Sequence, residues 1–169
     1  MKKISWKEGK RRLLKLADYL DTVKPKYFDF ESWVGNAHKK VAASGLSCGT
    51  TACAVGHAAN IPEFKRLGLK LNIELNSISL GIPLVTPTFG DKTNLNAAGA
   101  FFSITDGEAV ELFQPQNIYA ECLLYGGYKL PIFSEDSDTK PSEIAGKIRL
   151  FVAAKDIIGR DYRSYEDDI

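Results

Sequence analysis

Histidine and cysteine are both scarce, with two histidines and three cysteines in 169 residues. An odd, small number of cysteines excludes a disulfide framework and suits a reducing compartment, where the thiols stay free. No histidine follows His57, which excludes the papain-type order of a cysteine nucleophile and a distant later histidine. Paired C-x-x-C knuckles are missing, so a structural zinc site is not expected, and neither is any other metal or cofactor. The glycine-rich phosphate loop with its lysine is missing too, so nothing indicates nucleotide hydrolysis. No sign of charge dominates: 22 basic residues face 21 acidic ones for a net +1, which leaves no global field to attract nucleic acid or an anionic membrane. No apolar run approaches the roughly 18 residues of a membrane helix. Met1-Lys2-Lys3 begins like a secretory leader, but the charged stretch from Ser5 to Arg12 follows where an apolar core is required. The expectation is a soluble, cytoplasmic protein with no membrane or nucleic-acid partner.

What is present is an ordinary globular composition, 44% hydrophobic and 25% charged, in a length that suits a single domain over residues 1–169. Ser5-x-x-Glu8 is a capping box, and Leu13, Leu16, Ala17, Leu20 and Val23 then recur at helical spacing until Pro25. Four aromatics between Tyr27 and Trp33 predict a packed turn, and residues 34–47 a loop carrying His38-Lys39-Lys40. A short helix is predicted over 51–59, capped by Thr50 or Thr51. Leu69, Leu71, Ile73 and Leu75 alternate with polar residues, and Ile78, Leu80 and Ile82 repeat the alternation, which predicts a hairpin turning at Asn76-Ser77. Pro83, Pro87 and Gly90 are expected to end the sheet, leaving 86–92 as polar loop. Helices are then predicted over Leu95 to Phe102, from the second capping box Thr105-x-x-Glu108, for a turn or two over Ile118 to Tyr125, and from Thr139 to about Ile158. Gly159 would stop the last of these, with 160–169 a frayed tail. The predicted fold class is α+β, mostly helical, with a small antiparallel hairpin or sheet in the middle.

The most informative segment is Cys48-Gly49-Thr50-Thr51-Ala52-Cys53-Ala54-Val55-Gly56-His57, which holds two of the three cysteines and one of the two histidines. A thiol just ahead of a helix meets the positive end of the helix dipole and unpaired amides, both of which favour thiolate. Cys48 and Cys53 are therefore the candidate nucleophiles, with His57 or His38 as base and Asp29 to orient the imidazole. Gly49, Thr50 and Thr51 at the same helix start suit an anion such as a phosphate, and plain capping accounts for them equally well. Small buried cysteines and a satisfied structural histidine are the plainer reading of the rest. Phe28, Phe30 and Trp33 are wall or core candidates, as are Phe101, Phe102, Tyr119 and Tyr125.

Phe28-Asp29-Phe30-x-x-Trp33, Cys48-Gly49-Thr50-x-x-Cys53-x-x-Gly56, the segment from Ile104 to Phe113 and the helix from Ile144 to Val152 together resemble a family of small uncharacterised bacterial and phage proteins. Phe30 stands where that family usually has Met, and His57 where it often has Trp. An apolar ring in the place of His57 implies that the imidazole is dispensable as base or ligand. The resemblance implies a site around Asp29, Trp33, His38, Cys48, Gly49, Thr50, Thr51 and His57, and no particular chemistry. The function expected from residues and resemblance together is non-catalytic binding of a small molecule, a phosphate-bearing one included, or of a host partner protein, in the service of countering a host defence. The rival is a cysteine-dependent hydrolase or transferase using Cys48 or Cys53.

Overall fold

The computed structural model describes residues 4–29, 51–75, 83–113 and 139–164, with side chains left out of account at 73–75, 83–84 and 158–164. The fold class is α+β, helices with a small antiparallel sheet between them. Helix α1 spans Trp6–Leu20, and Ser5 caps it through an Oγ that accepts from the Glu8 amide at 3.4 Å. The predicted return arm of that capping box is redirected. The Glu8 carboxylate is taken up by Arg11 and Arg12, whose guanidinium hydrogen bonds pull its pKa down to about 2. Gly9, Arg12, Leu13, Leu16, Ala17 and Leu20 form the buried face of α1. The helix ends at its Asp21 cap, ahead of Val23 and Pro25, and the proline instead opens a 3-10 turn over Pro25–Tyr27.

Two short helices follow, α2 (Ala54–Ala58) and α3 (Pro62–Arg66), and then a sheet of β1 (Lys70–Leu75), β2 (Pro83–Phe89) and β3 (Lys92–Thr93) in that order. The alternation from Leu69 to Leu75 correctly marks β1. The predicted hairpin turn at Asn76-Ser77 and its strand at 78–82 lie outside the described residues. The partner of β1 is β2, in antiparallel register from Lys70 opposite Thr88 to Leu75 opposite Pro83. Residues 83–89 are thus strand, where the prolines predicted an end. β3 covers only Thr88 and Phe89, so among the described residues Pro83 and Pro87 have a strand on one side alone, the edge-like position where a missing N–H is tolerated. Only Gly90-Asp91 remains as turn, with Gly90 at φ 61°.

Helix α4 (Asn94–Phe102) and helix α5 (Asp106–Phe113) form the predicted helical pair. The second capping box is complete: the Thr105 amide donates to Glu108 at 2.7 Å, and the Glu108 amide donates to the Thr105 hydroxyl at 3.2 Å. Helix α6 runs Pro141–Ser164, so the helix continues through Gly159, and 160–164 are helical where a frayed tail was expected. Pro141 stands in its first turn as predicted, and Glu143 reaches back to accept from the Lys140 amide at 2.8 Å. The predicted turns at 118–125 lie outside the described residues.

The core is aromatic at its centre. Phe64, Phe101 and Phe102 are fully buried, and rings from α3, α4 and the end of β2 meet edge-on around Phe101, at centroid distances of 5.0 Å to Phe64, 5.1 Å to Phe102 and 5.2 Å to Phe89, while Phe113 of α5 packs tilted on Phe102 at 5.6 Å. Phe101 and Phe102 are therefore core. α1 lies antiparallel along α6, fixed at one end by Trp6 and Lys10 on Asp156 and at the other by Arg149 on Asp18 and Asp21. α1 meets the end of α4 at close range, with Arg12 donating to the Phe101 carbonyl at 2.9 Å and Ser103 Oγ donating to the Ile4 carbonyl at 2.7 Å.

Candidate functional site

The corner that the Cys-Gly-Thr segment was expected to build is formed by two stretches distant in sequence. After the 3-10 turn the chain becomes extended at Phe28, and a parallel bridge joins Phe28 to Ala52. The Asp29 amide donates to the Ala52 carbonyl at 3.1 Å, and the Ala52 amide donates to the Tyr27 carbonyl at 3.2 Å. Residues 27–29 thus form a strap across the start of α2, and residues 30–33 of the packed turn predicted from Tyr27 to Trp33 lie outside the described residues. The alanines at 52, 54, 58 and 59 are almost fully buried, and their small side chains let this corner sit deep against α1.

Helix α2 begins later than predicted. Its N-cap is Cys53, not Thr50 or Thr51, and it has five residues. Thr51 is half-buried in the bridged segment, ahead of the cap. Cys53 therefore precedes the first turn, and the His57 amide donates to its carbonyl at 2.9 Å. The thiol is only 2% exposed. Burial pushes its pKa up to about 11, against the opposing pull of the Gly56 and Val55 amides, and the nearby Asp29 carboxylate raises it further. The expected thiolate stabilisation by the helix start is outweighed because a helix this short has a small dipole, while desolvation of a buried anion is large. Cys53 is a neutral thiol.

His57 is 5% exposed and inserted between rings: Phe28 lies parallel to it at 6.0 Å and 9°, and Tyr19 is tilted at 6.0 Å and 48°. Its Nε2 lies 2.9 Å from the Tyr27 carbonyl. A carbonyl only accepts, so Nε2 carries the proton and Nδ1 is a bare acceptor. That Nδ1 is buried and has no hydrogen-bond partner among the described residues. Burial draws the pKa of the ring below its usual 6.5, and the Tyr27 bond opposes this. The group that orients the imidazole is thus a main-chain carbonyl and not the Asp29 carboxylate that sequence reasoning assigned.

No known protein family, curated protein or solved structure matches this chain.

Of the predicted site residues, Asp29, Thr51, Cys53 and His57 come together at the strap and the start of α2, while Trp33, His38, Cys48, Gly49 and Thr50 lie outside the described residues. Among the described residues, no three histidine, cysteine or acidic side chains gather as a metal site would require, and no helix is long and apolar enough to cross a membrane.

Sequence reasoning missed an open groove of about 580 Å³ beside this corner, lined by Arg11, Lys15, Asp18, Tyr19 and Ile61. Four of the five residues come from one face of α1, at positions i, i+4, i+7 and i+8, a signal present in the sequence. The fifth arrives from the turn between α2 and α3, which no local pattern could place. Glu63 on α3 pairs with Arg11 at 2.7 Å and with Lys15, so the groove lining combines a charge network with the side chains of Tyr19 and Ile61. Tyr19 joins the two features, because the ring that lines the groove also packs on His57.

Proposed function

We propose that this chain is a non-catalytic cytoplasmic binding protein whose ligand or partner seats in the groove along α1. The observation that carries the reading is the groove itself. Its volume of about 580 Å³ lies within the range of binding clefts, and its lining combines an aromatic and an aliphatic side chain with charges of both signs. Such a surface favours an occupant with an apolar body and polar edges. Arg11 and Lys15 supply the attraction for an acidic or phosphate-bearing group, which must compete with Glu63 for them. The neighbouring corner supports binding over catalysis, because its described thiol is neutral and enclosed and its imidazole is locked to a carbonyl. The motif resemblance to phage proteins extends the proposal to the occupant, a host protein or a host signalling molecule whose sequestration serves the phage.

The test is native mass spectrometry of the intact chain recovered from cell extract, alongside Tyr19→Ala and Lys15→Glu. The expected result is a retained mass on the unaltered chain that falls at least tenfold in both variants while their thermal transitions stay cooperative. A chain that retains nothing, or variants that retain the same mass equally well, would refute the reading.

A further inference from the structure

We infer that His57 is an acid-sensitive latch on the strap formed by residues 27–29, holding it closed while the ring is neutral and releasing it when Nδ1 takes a proton. The inference is independent of what occupies the groove.

The geometry of one ring carries it. The Tyr27 carbonyl accepts from two donors, the Ala52 amide at 3.2 Å and His57 Nε2 at 2.9 Å, so ring and strap share one anchor. Phe28, the middle residue of the strap, lies flat against the imidazole at 6.0 Å. Tyr19 of α1 packs tilted on the same ring at 6.0 Å. Nδ1 is enclosed by these contacts without a partner among the described residues. In the neutral ring this leaves one weak acceptor unsatisfied. In the protonated ring the same atom becomes a buried cationic donor with no acceptor among the described residues, at a far larger cost. The ring is then stable only where water reaches Nδ1, and Phe28 covers the imidazole in the closed arrangement, so hydration of the ring requires the strap to lift.

The charges surrounding the ring among the described residues do not offset this. From α1, Tyr19 presents a ring, while Lys15 and Asp18 line the groove, Lys15 paired with Glu63 and Asp18 with Arg149. From α3, Glu63 is held by Arg11 and Lys15. From the strap, Lys26 sits over the Tyr27 ring at 4.9 Å, and the Asp29 carboxylate acts on Cys53, which is itself a neutral thiol. None of these donates to or accepts from Nδ1. The sign follows: a ring that protonates less readily when closed than its usual 6.5 favours the closed strap above that pH, and the preference fades as pH falls below it. For a ring that takes its proton only when open, the open population rises on the order of tenfold by pH 5.5 and thirtyfold by pH 5.0.

The experiment is amide hydrogen exchange by NMR on the full chain at pH 7.5, 5.5 and 5.0, expressed as protection factors for Asp29 and Ala52 and compared with Leu16 in the core of α1. The expected result is a loss of protection of about tenfold and then thirtyfold at Asp29 and Ala52, with Leu16 unchanged. His57→Gln keeps an amide donor at the Nε2 position and removes the titrating nitrogen, so its protection should not vary with pH. A His57→Gln chain that loses protection like the unaltered one would overturn the latch. If that variant does not fold, the imidazole of the unaltered chain is titrated directly: a His57 midpoint below 6.5 that tracks the Asp29 and Ala52 opening supports the proposal, and a ring that titrates with no change at those amides overturns it.

Discussion

An alanine at Gly9 would place its Cβ 2.0 Å from the Phe102 carbonyl oxygen and 2.8 Å from both the Phe102 carbonyl carbon and Ser103 Cβ. Carbon and oxygen need about 3.3 Å, so the first contact is short by more than 1 Å, and the obstacle is main chain, which cannot swing aside as a side chain does. Either α1 and α4 separate or the end of α4 turns. Both movements strain the hydrogen bonds that cross the same contact, Arg12 to the Phe101 carbonyl and Ser103 to the Ile4 carbonyl. Overpacking of this kind costs about 1–3 kcal/mol, and weakening one or two buried hydrogen bonds adds about 1–2 kcal/mol. Alanine recovers about 1 kcal/mol of helix propensity over glycine. The net expectation is a loss of about 1–4 kcal/mol, several degrees in Tm near the middle of that range for a chain of this size. Gly146 in α6 is the internal control, because a Cβ there has nothing within 4 Å among the described residues. Gly146→Ala should therefore keep the propensity gain and stabilise by about 0.5–1 kcal/mol. Urea unfolding of both variants at one pH decides the matter, with the m-value as a check that the unfolding reaction is unchanged. If Gly9→Ala stabilises the protein as Gly146→Ala does, the close approach of α1 to α4 is refuted.

Two further perturbations probe the same molecule. Arg12 is 6% exposed, donates to the Phe101 carbonyl at the end of α4, pairs with Glu8 and covers the Phe101 ring at 4.4 Å. Arg12→Met should lower stability by about 2–4 kcal/mol by stranding that carbonyl, with Arg12→Lys intermediate, and equal thermal transitions for all three would show that the guanidinium contributes nothing. Cys53 should resist iodoacetamide at pH 7.5 in the folded chain and react freely in urea, as read by peptide mapping. Rapid native labelling of Cys53 would mean that its thiol is accessible and ionised, contrary to its burial.

Most of the helices were legible in the sequence because their signals are local. Ser5 and Thr105 each stand three residues ahead of a glutamate, and both begin helices. The same two boxes show the limit of local reading: Thr105 and Glu108 close on each other, while Glu8 turns to Arg11 and Arg12. Proline misled at Pro83 and Pro87, since its cost in a strand depends on which side carries a neighbour, and that is set by the short reach of β3. Gly159 misled in the same way. A glycine is a favourable helix terminus only when the chain turns there, and α6 continues past it.

Residue order alone determined the amphipathic face of α1, the alternation of β1, the paired helices α4 and α5 and the mixed helical and sheet class, because periodicity and capping are interactions between residues a few positions apart. Three-dimensional packing decided the rest. It buried Cys53 deeply enough to reverse the effect expected of a helix start, and it gave His57 a carbonyl thirty residues away, at Tyr27, as its partner. It also joined Ile61 to one face of α1 to open a groove. Desolvation and through-space pairing depend on which segments meet, and no local pattern encodes that.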